Sequence, residues 1–301
     1  MSLTTSQNPA DRIDAAALRR LMQRRQRNAD LPWLHGEVAT RMADRLQIIR
    51  DQPEQVLDWS EDAGALPPAL LAACPKARFR RVDETAAVRS PEGWLGKLTR
   101  ALKGGEAERL PAGAVMPASA GLLWSNMRLH LAASPPELLK TWRQALQPEG
   151  FVMFSTLGPG SLRQIRDIYR ARGWGVPHVP FVDMHDLGDM MVEAGFADPV
   201  MDQEVLRLTY VTPEALLAEW RALGANLDPA RTAGLRTPRW RAQLCAALAE
   251  TAGPDGRIVL DVEVVYGHAF RAPDKGPAVA ADTRIDLADM KLMLRKPTPR
   301  K

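Results

Sequence analysis

The sequence of 301 residues has little cysteine and no long apolar run. Its two cysteines, Cys74 and Cys245, have neither the spacing of a metal site nor that of a disulfide framework, so we expect no bound metal and a reducing compartment. No run of about 18 apolar residues occurs, and the amino terminus has no apolar segment typical of a signal peptide. These absences predict a cytoplasmic protein without a membrane span.

The sequence also has little net charge, although its basic residues are unevenly distributed. The sequence contains 40 Lys and Arg residues and 36 Asp and Glu residues, which gives a net charge of +4. This charge is too small to indicate a nucleic-acid partner. Five arginines lie between Arg19 and Arg27, and a second basic run extends from Arg295 to Lys301. We interpret the first cluster as the solvated face of a helix or as a docking surface for an acidic partner.

Residues 55–83 have the pattern of a βαβ unit. An apolar strand around Val56 and Leu57 is followed by a helical segment at 65–73 and by a second strand that ends in Asp83. In a parallel sheet these turns lie at the carboxyl edge, where ligands bind, and an acid there can accept hydrogen bonds from a ribose diol. We predict Asp83 as a ribose ligand and the turn 58–64 as a cofactor loop; a solvated strand-end carboxylate is the alternative interpretation of Asp83.

The predicted turn lacks the glycines that let a backbone approach a nucleotide closely. It reads Asp58-Trp59-Ser60-Glu61-Asp62-Ala63-Gly64, with glycine only at its last position. Glu61 and Asp62 also place negative charge where a helix amino terminus would favour an anionic group. The turn therefore conflicts with the ligand site that the βαβ pattern predicts.

Further strand and helix patterns alternate along the chain and predict an α/β fold. The segment Phe151 to Leu157 is apolar on both faces, which is typical of a strand in the middle of a parallel sheet. We expect a sheet of six or seven strands with a helical insertion at about 213–250, near the last strands. The predicted organisation is an amino-terminal tail and basic helix (1–33), a main domain (34–270) and a carboxyl-terminal tail (271–301).

Several longer segments resemble a known family. They are FSTLGPGSLRQIR (154–166), the run from Phe181 to Tyr210, RALGAN (221–226), GLRTPRWRAQL (234–244) and VEVVYGHAF (262–270). These segments resemble class I S-adenosylmethionine-dependent methyltransferases, and among them the malonyl-acyl-carrier-protein O-methyltransferases of biotin synthesis. The resemblance implies a Rossmann-like sheet of seven strands with S-adenosylmethionine over its carboxyl edge. It also implies methyl transfer to the free carboxylate of a malonyl thioester.

The resemblance also implies a set of cofactor-binding residues. The family's D-x-G-x-G-x-G loop falls on residues 58–64, where Ser60 and Asp62 replace two glycines. The strand-end acid falls on Asp83, and Ser125 and Asn126 match the residues after the fourth strand. The expected cofactor contacts are Asp58, Ser60, Gly64, Asp83, Ser125 and Asn126.

A carboxylate substrate needs a cation, and the planar fork of arginine can bind it through two hydrogen bonds. The candidates are Arg128, Arg163, Arg166 and Arg221. The transfer needs little acid–base help, because a carboxylate is already a nucleophile at neutral pH and positioning supplies most of the rate. No catalytic residue is assigned from the sequence. His185 has two interpretations, a general base or a residue that caps or packs a helix, and we interpret His268 as a packed structural residue of a strand.

Two functions stay open on the sequence. One is a methyltransferase that acts on a malonyl-acyl-carrier protein or on a small carboxylic acid, with the basic amino-terminal helix receiving the acidic carrier protein. The other is a non-catalytic relative that has lost the cofactor and binds a partner protein. The charged residues Ser60-Glu61-Asp62 favour the second function, and the segments 154–162 and 181–210 favour the first.

Overall fold

A computed structural model describes residues 13–27, 32–49, 52–60, 66–84, 107–224, 226–232 and 234–273. Residues 61–65, which include the predicted cofactor contact Gly64 and the acids Glu61 and Asp62, lie outside the described residues, as does the chain from 274 onward. No helix within the described ranges combines the length and apolar character that crossing a membrane requires.

The described residues form one seven-stranded sheet with helices on both faces. The strands are β1 (Gln55–Asp58), β2 (Arg78–Asp83), β3 (Glu108–Pro111), β4 (Ala120–Ser125), β5 (Leu146–Leu157), β6 (Phe196–Tyr210) and β7 (Ile258–Arg271). The helices are α1 (Ala15–Arg27), α2 (Trp33–Leu46), α3 (Pro68–Ala73), α4 (Pro135–Ala145), α5 (Arg163–Arg172), α6 (Met184–Glu193), α7 (Pro213–Leu223) and α8 (Pro238–Ala249). Short 3₁₀ turns occur at Ala112–Ala114 and Leu129–Leu131.

The strand order is β3-β2-β1-β4-β5-β7-β6. Strands β1 to β5 pair in parallel, whereas β7 runs antiparallel to both β5 and β6. The predicted α/β fold with a seven-stranded methyltransferase sheet is therefore confirmed. The sequence patterns did not identify β3, because this short edge strand reads ERLP and has no apolar alternation to mark it.

The centre of the sheet is buried on both faces, because side chains alternate between two apolar layers. Leu122 and Trp124 of β4 belong to the layer that contains α2, whereas Leu123 belongs to the layer of Trp142 in α4. All six residues of β4 are buried as a result. The residues that follow β4 are consequently held at the carboxyl edge by packing on both sides.

The predicted helical insertion near the last strands is confirmed by α7 and α8, which lie between β6 and β7. Each of these helices begins with proline after a threonine whose hydroxyl accepts a backbone N–H. An aromatic cluster joins the insertion to α5: the ring of Tyr169 lies 6.0 Å from that of Trp220 and 6.1 Å from that of Trp240. The boundaries 1–33, 34–270 and 271–301 stay predictions.

A candidate active site at the carboxyl edge of the sheet

Hydrogen bonds connect the end of β1 to the end of β4. The Ser125 hydroxyl donates to the carbonyl oxygen of Trp59 at 3.0 Å, and the backbone N–H of Asn126 donates to the Ser60 hydroxyl at 2.9 Å. The Asn126 side chain donates to the carbonyl oxygen of His35 at 2.9 Å. The structure therefore brings three predicted cofactor residues together, and it buries all three.

Asp58 and Asp83 have different environments at this edge. Asp58 is fully buried and accepts the backbone N–H of Ser60 at 3.0 Å and the Nε of Arg81 at 2.7 Å. The ion pair with Arg81 offsets the cost of burying the Asp58 carboxylate, and the bond from the Ser60 N–H fixes the backbone just after β1. Asp83 ends β2, is half-buried, and lies opposite Pro111 of β3.

A side-chain bridge crosses three strand ends. The indole N–H of Trp59 donates to one carboxylate oxygen of Glu84 at 2.6 Å, and Arg128 forms an ion pair with the other oxygen. These residues follow β1, β2 and β4, and the side chains of Trp59 and Arg128 are buried. We call this feature the Trp59–Glu84–Arg128 bridge. The sequence reasoning missed Trp59 and Glu84, although both adjoin predicted site residues.

Met127 gives the chain after β4 an unusual turn. Its φ angle is +54°, in the left-handed region that bulky residues rarely adopt. Its backbone N–H donates to the carbonyl oxygen of Ser155 at 3.1 Å and to the Ser155 hydroxyl at 3.0 Å. These bonds from β5 hold the turn between Asn126 and Arg128, both of which are buried at the edge.

The four predicted substrate arginines lie in different places. Arg128 is 5% exposed and is the only one of the four in the bridge. Arg163 is exposed at the first position of α5, and Arg221 is exposed on α7. Arg166 donates to the carbonyl oxygen of Pro159 at 3.1 Å. Arg128 is therefore the candidate that shares the edge with the cofactor residues.

A small pocket of about 40 Å³ lies next to this edge, between the turn after β4, the end of β5 and α7. It is mainly apolar, with two histidines in its wall. Its lining residues are His130, Leu131, Leu157, Leu162, His178, Val179, Phe181, Trp220, Leu223, Gly224 and Leu227. Of these, His130 follows Arg128 by two residues in the chain after β4.

His178 presents a hydrogen-bond acceptor in this wall. Its Nδ1 lies 2.8 Å from the carbonyl oxygen of Val179, and because a carbonyl only accepts, this nitrogen carries the proton. Burial lowers the pKa of His178, and the positive charge of Arg166 lowers it further. The neutral ring leaves Nε2 as a buried acceptor with no hydrogen-bond partner in the part of the chain that the structure describes. The ring of Phe181 stacks on it at 4.7 Å.

The two histidines singled out from the sequence, His185 and His268, are not among the residues that line this pocket. His185 is exposed and bonds to Asp183, which accepts the His185 backbone N–H as the cap of α6. His268 lies on β7 opposite Met153, and burial lowers its pKa. Among the residues that the structure describes, no three His, Cys, Asp or Glu side chains form a group that could hold a metal ion.

The residues that the resemblance assigns to the cofactor lie at this edge, as far as the structure describes them. Asp83 ends β2, and Ser125 and Asn126 stand at the end of β4 with their side chains bonded within the protein. Ser60 replaces a glycine without backbone strain, because its φ is not positive and its hydroxyl accepts the Asn126 N–H. The Trp59–Glu84–Arg128 bridge crosses the same strand ends.

The strand order, the antiparallel β7 and the polar carboxyl edge define the fold of class I S-adenosylmethionine-dependent methyltransferases. The crystal structure of the YcgJ protein from Bacillus subtilis shares this fold. It matches with a TM-score of 0.50 and 12% identity, over 77% of this chain and 98% of that one. No protein-family model matches the sequence.

Sequence relatives identify the family within this class of methyltransferases. The chain belongs to the malonyl-[acyl-carrier protein] O-methyltransferase family. It is 36% identical to the enzyme of that name from Halorhodospira halophila over 285 residues, which cover 89% of this chain and 95% of the relative. It is also 36% identical to the Laribacter hongkongensis protein of the same name over 250 residues, which cover 79% and 82%. The relative from Gallionella capsiferriformans is 34% identical over 86% of this chain.

Proposed function

We propose that this protein transfers a methyl group from S-adenosylmethionine to the free carboxylate of a malonyl thioester on an acyl-carrier protein. The names of the relatives supply the substrate class. The observation that carries the proposal is the position of Arg128, a buried cation at the end of β4 beside the residues matched to the cofactor site. A cytoplasmic location, where the free thiols of Cys74 and Cys245 stay reduced, belongs to the same proposal.

The residues that would hold the cofactor are those at the ends of β1, β2 and β4. Asp83 would accept hydrogen bonds from the ribose diol, and Asp58, Ser60, Gly64, Ser125 and Asn126 complete the proposed site. When bound, S-adenosylmethionine supplies an electrophilic methyl group. The substrate carboxylate is ionised at neutral pH, so no general base is needed and positioning does most of the work.

Arg128 is proposed to orient the substrate carboxylate. In the structure its partner is the carboxylate of Glu84. In the proposed complex the substrate carboxylate takes the place of the Glu84 carboxylate beside the guanidinium. A guanidinium binds a carboxylate through two parallel hydrogen bonds, which fixes direction as well as distance. Arg163, Arg166 and Arg221 remain weaker candidates, because none of them is buried at the edge.

Calorimetric titration with S-adenosylmethionine and S-adenosylhomocysteine tests the cofactor part. We expect micromolar binding, weakened about 10-fold or more in Asp83→Asn, because a hydrogen bond to a charged group contributes about 1.5–3 kcal/mol. Asp44→Asn, an exposed change on α2, is the matched control and should bind like the wild type. Methyl transfer to malonyl-carrier protein is then measured with the same variants.

The Trp59–Glu84–Arg128 bridge favours a second candidate, a non-catalytic binding protein of the same family. In that case the bridge is a permanent closure of the cofactor position, held by hydrogen bonds from both sides of Glu84. The same titration separates the two functions. Absence of binding at millimolar cofactor, with a cooperative unfolding transition to show that the protein is folded, contradicts the enzyme and supports the binding protein.

A further inference from the structure

Helix α1 has an apolar face and a basic face. Ile13, just before the helix, and Ala17 and Leu21 are buried against the body of the protein. Arg19 and Arg20 are exposed, as is Arg24 one turn further. The helix contains no acidic residue. The apolar face therefore contacts the rest of the protein, and the basic face is exposed to solvent.

The apolar face packs on the wall of the pocket. Ile13, Ala17 and Leu21 share one apolar cluster with three other residues, and those three also line the pocket: Leu131, Val179 and Leu227. The backbone N–H of Asp14 donates to the carbonyl oxygen of Leu227 at 2.8 Å, and the Asp14 carboxylate pairs with Arg231 at 2.5 Å. The pocket has room for only a few water molecules, and α1 packs behind this part of its wall.

The basic face has like charges close together. Arg20 and Arg24 are four residues apart and so lie on neighbouring turns, where like charges repel. No carboxylate in the described ranges is paired with Arg19, Arg20 or Arg24. An acidic surface would relieve this repulsion and would be attracted to the helix over a distance set by the ionic strength.

We propose that α1 is a docking lid, on which an acidic carrier protein binds and whose movement lets the thioester arm enter the pocket. The proposal rests on the proposed function for the identity of the partner. The pocket suits such an arm, because its wall is apolar and the Nε2 of His178 can accept a hydrogen bond from an amide N–H of the arm. Docking and access to the site are thereby coupled through one helix.

Charge reversal tests the docking surface. We expect Arg19→Glu/Arg20→Glu to weaken binding of malonyl-carrier protein about 10-fold or more in about 50 mM NaCl, with a smaller effect in about 300 mM NaCl, where the Debye length is shorter. The control is Lys76→Glu/Arg78→Glu, the same charge change at exposed residues where β2 begins, at the opposite edge of the sheet. Equal weakening by both pairs would overturn the docking surface.

Thiol labelling tests the movement of the lid. Val179→Cys places a thiol at a position that is 5% exposed beneath α1, and the native Cys74, which is 2% exposed, is an internal control beside α3. Saturating carrier protein should speed labelling at position 179 several-fold and leave Cys74 unchanged. An unchanged rate at position 179, with carrier binding demonstrated, would contradict the lid.

These measurements do not depend on catalysis. The docking lid and the methyltransferase function can therefore be contradicted independently of each other. A protein that binds carrier protein through α1 but binds no cofactor supports the docking lid and contradicts the methyltransferase. A protein that methylates malonyl-carrier protein, and whose binding is equally affected by the two charge reversals, supports the methyltransferase and contradicts the docking lid.

Discussion

Arg128 has the most specific role of any single residue proposed here. It is buried, it follows the central strand β4, and its partner Glu84 is held in turn by Trp59. Because lysine carries the same charge without the planar fork, Arg128→Lys separates charge from geometry.

We expect Arg128→Lys to lower kcat/KM for malonyl-carrier protein about 10- to 100-fold, since the lysine ammonium cannot align a carboxylate through two parallel hydrogen bonds. The affinity for S-adenosylhomocysteine, measured by calorimetry, should change less than about 3-fold. Arg170→Lys, at an exposed arginine of α5 that is not a substrate candidate, is the control and should behave like the wild type. A fully active Arg128→Lys would exclude Arg128 as the substrate cation.

Glu84 competes with the substrate for Arg128 in this proposal. Glu84→Gln keeps an oxygen that can accept the Trp59 indole N–H at the observed position and removes the negative charge beside Arg128. We therefore expect a KM for malonyl-carrier protein several-fold lower than in the wild type, obtained from initial rates. A raised KM with unchanged folding would show that Glu84 supports the substrate site.

At the scale of elements, the pairing of β5 with β7 brings Gly267 directly opposite Phe154. A Cβ atom at position 267 would lie 2.5 Å from the Phe154 ring, which is fully buried. The same Cβ would also lie 2.9 Å from the sulfur of Met201, so both neighbouring side chains would have to shift. Glycine at 267 is therefore required by close packing and not by a positive φ.

We expect Gly267→Ala to lower the free energy of unfolding by about 1–3 kcal/mol, the usual cost of overpacking a core. The matched control is Gly188→Ala within α6, where a Cβ would meet only an ordinary contact at 3.7 Å. That change should raise the stability by about 0.5–1 kcal/mol, because alanine is the better helix former. Urea denaturation of both variants measures the two effects.

Several elements could be predicted from local sequence alone. The apolar run of β5, the capping residue Asp183 of α6 and the prolines that begin α7 and α8 are all local signals. β3 could not be predicted, because a short strand at the sheet edge has neither an apolar run nor an alternating pattern. Its strand character comes from pairing with β2, which is a long-range contact.

At the scale of the whole molecule, two partly buried histidines make stability depend on pH. Burial lowers the pKa of His178 and of His268 below the ordinary value of about 6.5. The unfolded chain therefore binds more protons than the folded one as the pH falls below about 6.5, so folding is favoured above that pH and is weakened below it.

We expect the Tm to fall as the pH is lowered from about 7.5 to about 5.5, and we expect His268→Gln to reduce that fall. Thermal unfolding followed by circular dichroism at several pH values measures both slopes. Identical slopes in the wild type and in His268→Gln would show that His268 does not contribute.

The sequence by itself determined the order along the chain of the strands and helices other than β3, the family, and the positions matched to the cofactor site. These features depend on residues that are near one another in the chain. Only the tertiary structure selected Arg128 from the four candidate arginines and joined it to Glu84 and Trp59, which precede it by 44 and 69 residues. The physical reason is that parallel pairing brings the ends of β1, β2 and β4 to one edge, whereas local patterns carry no information about which side chains meet there.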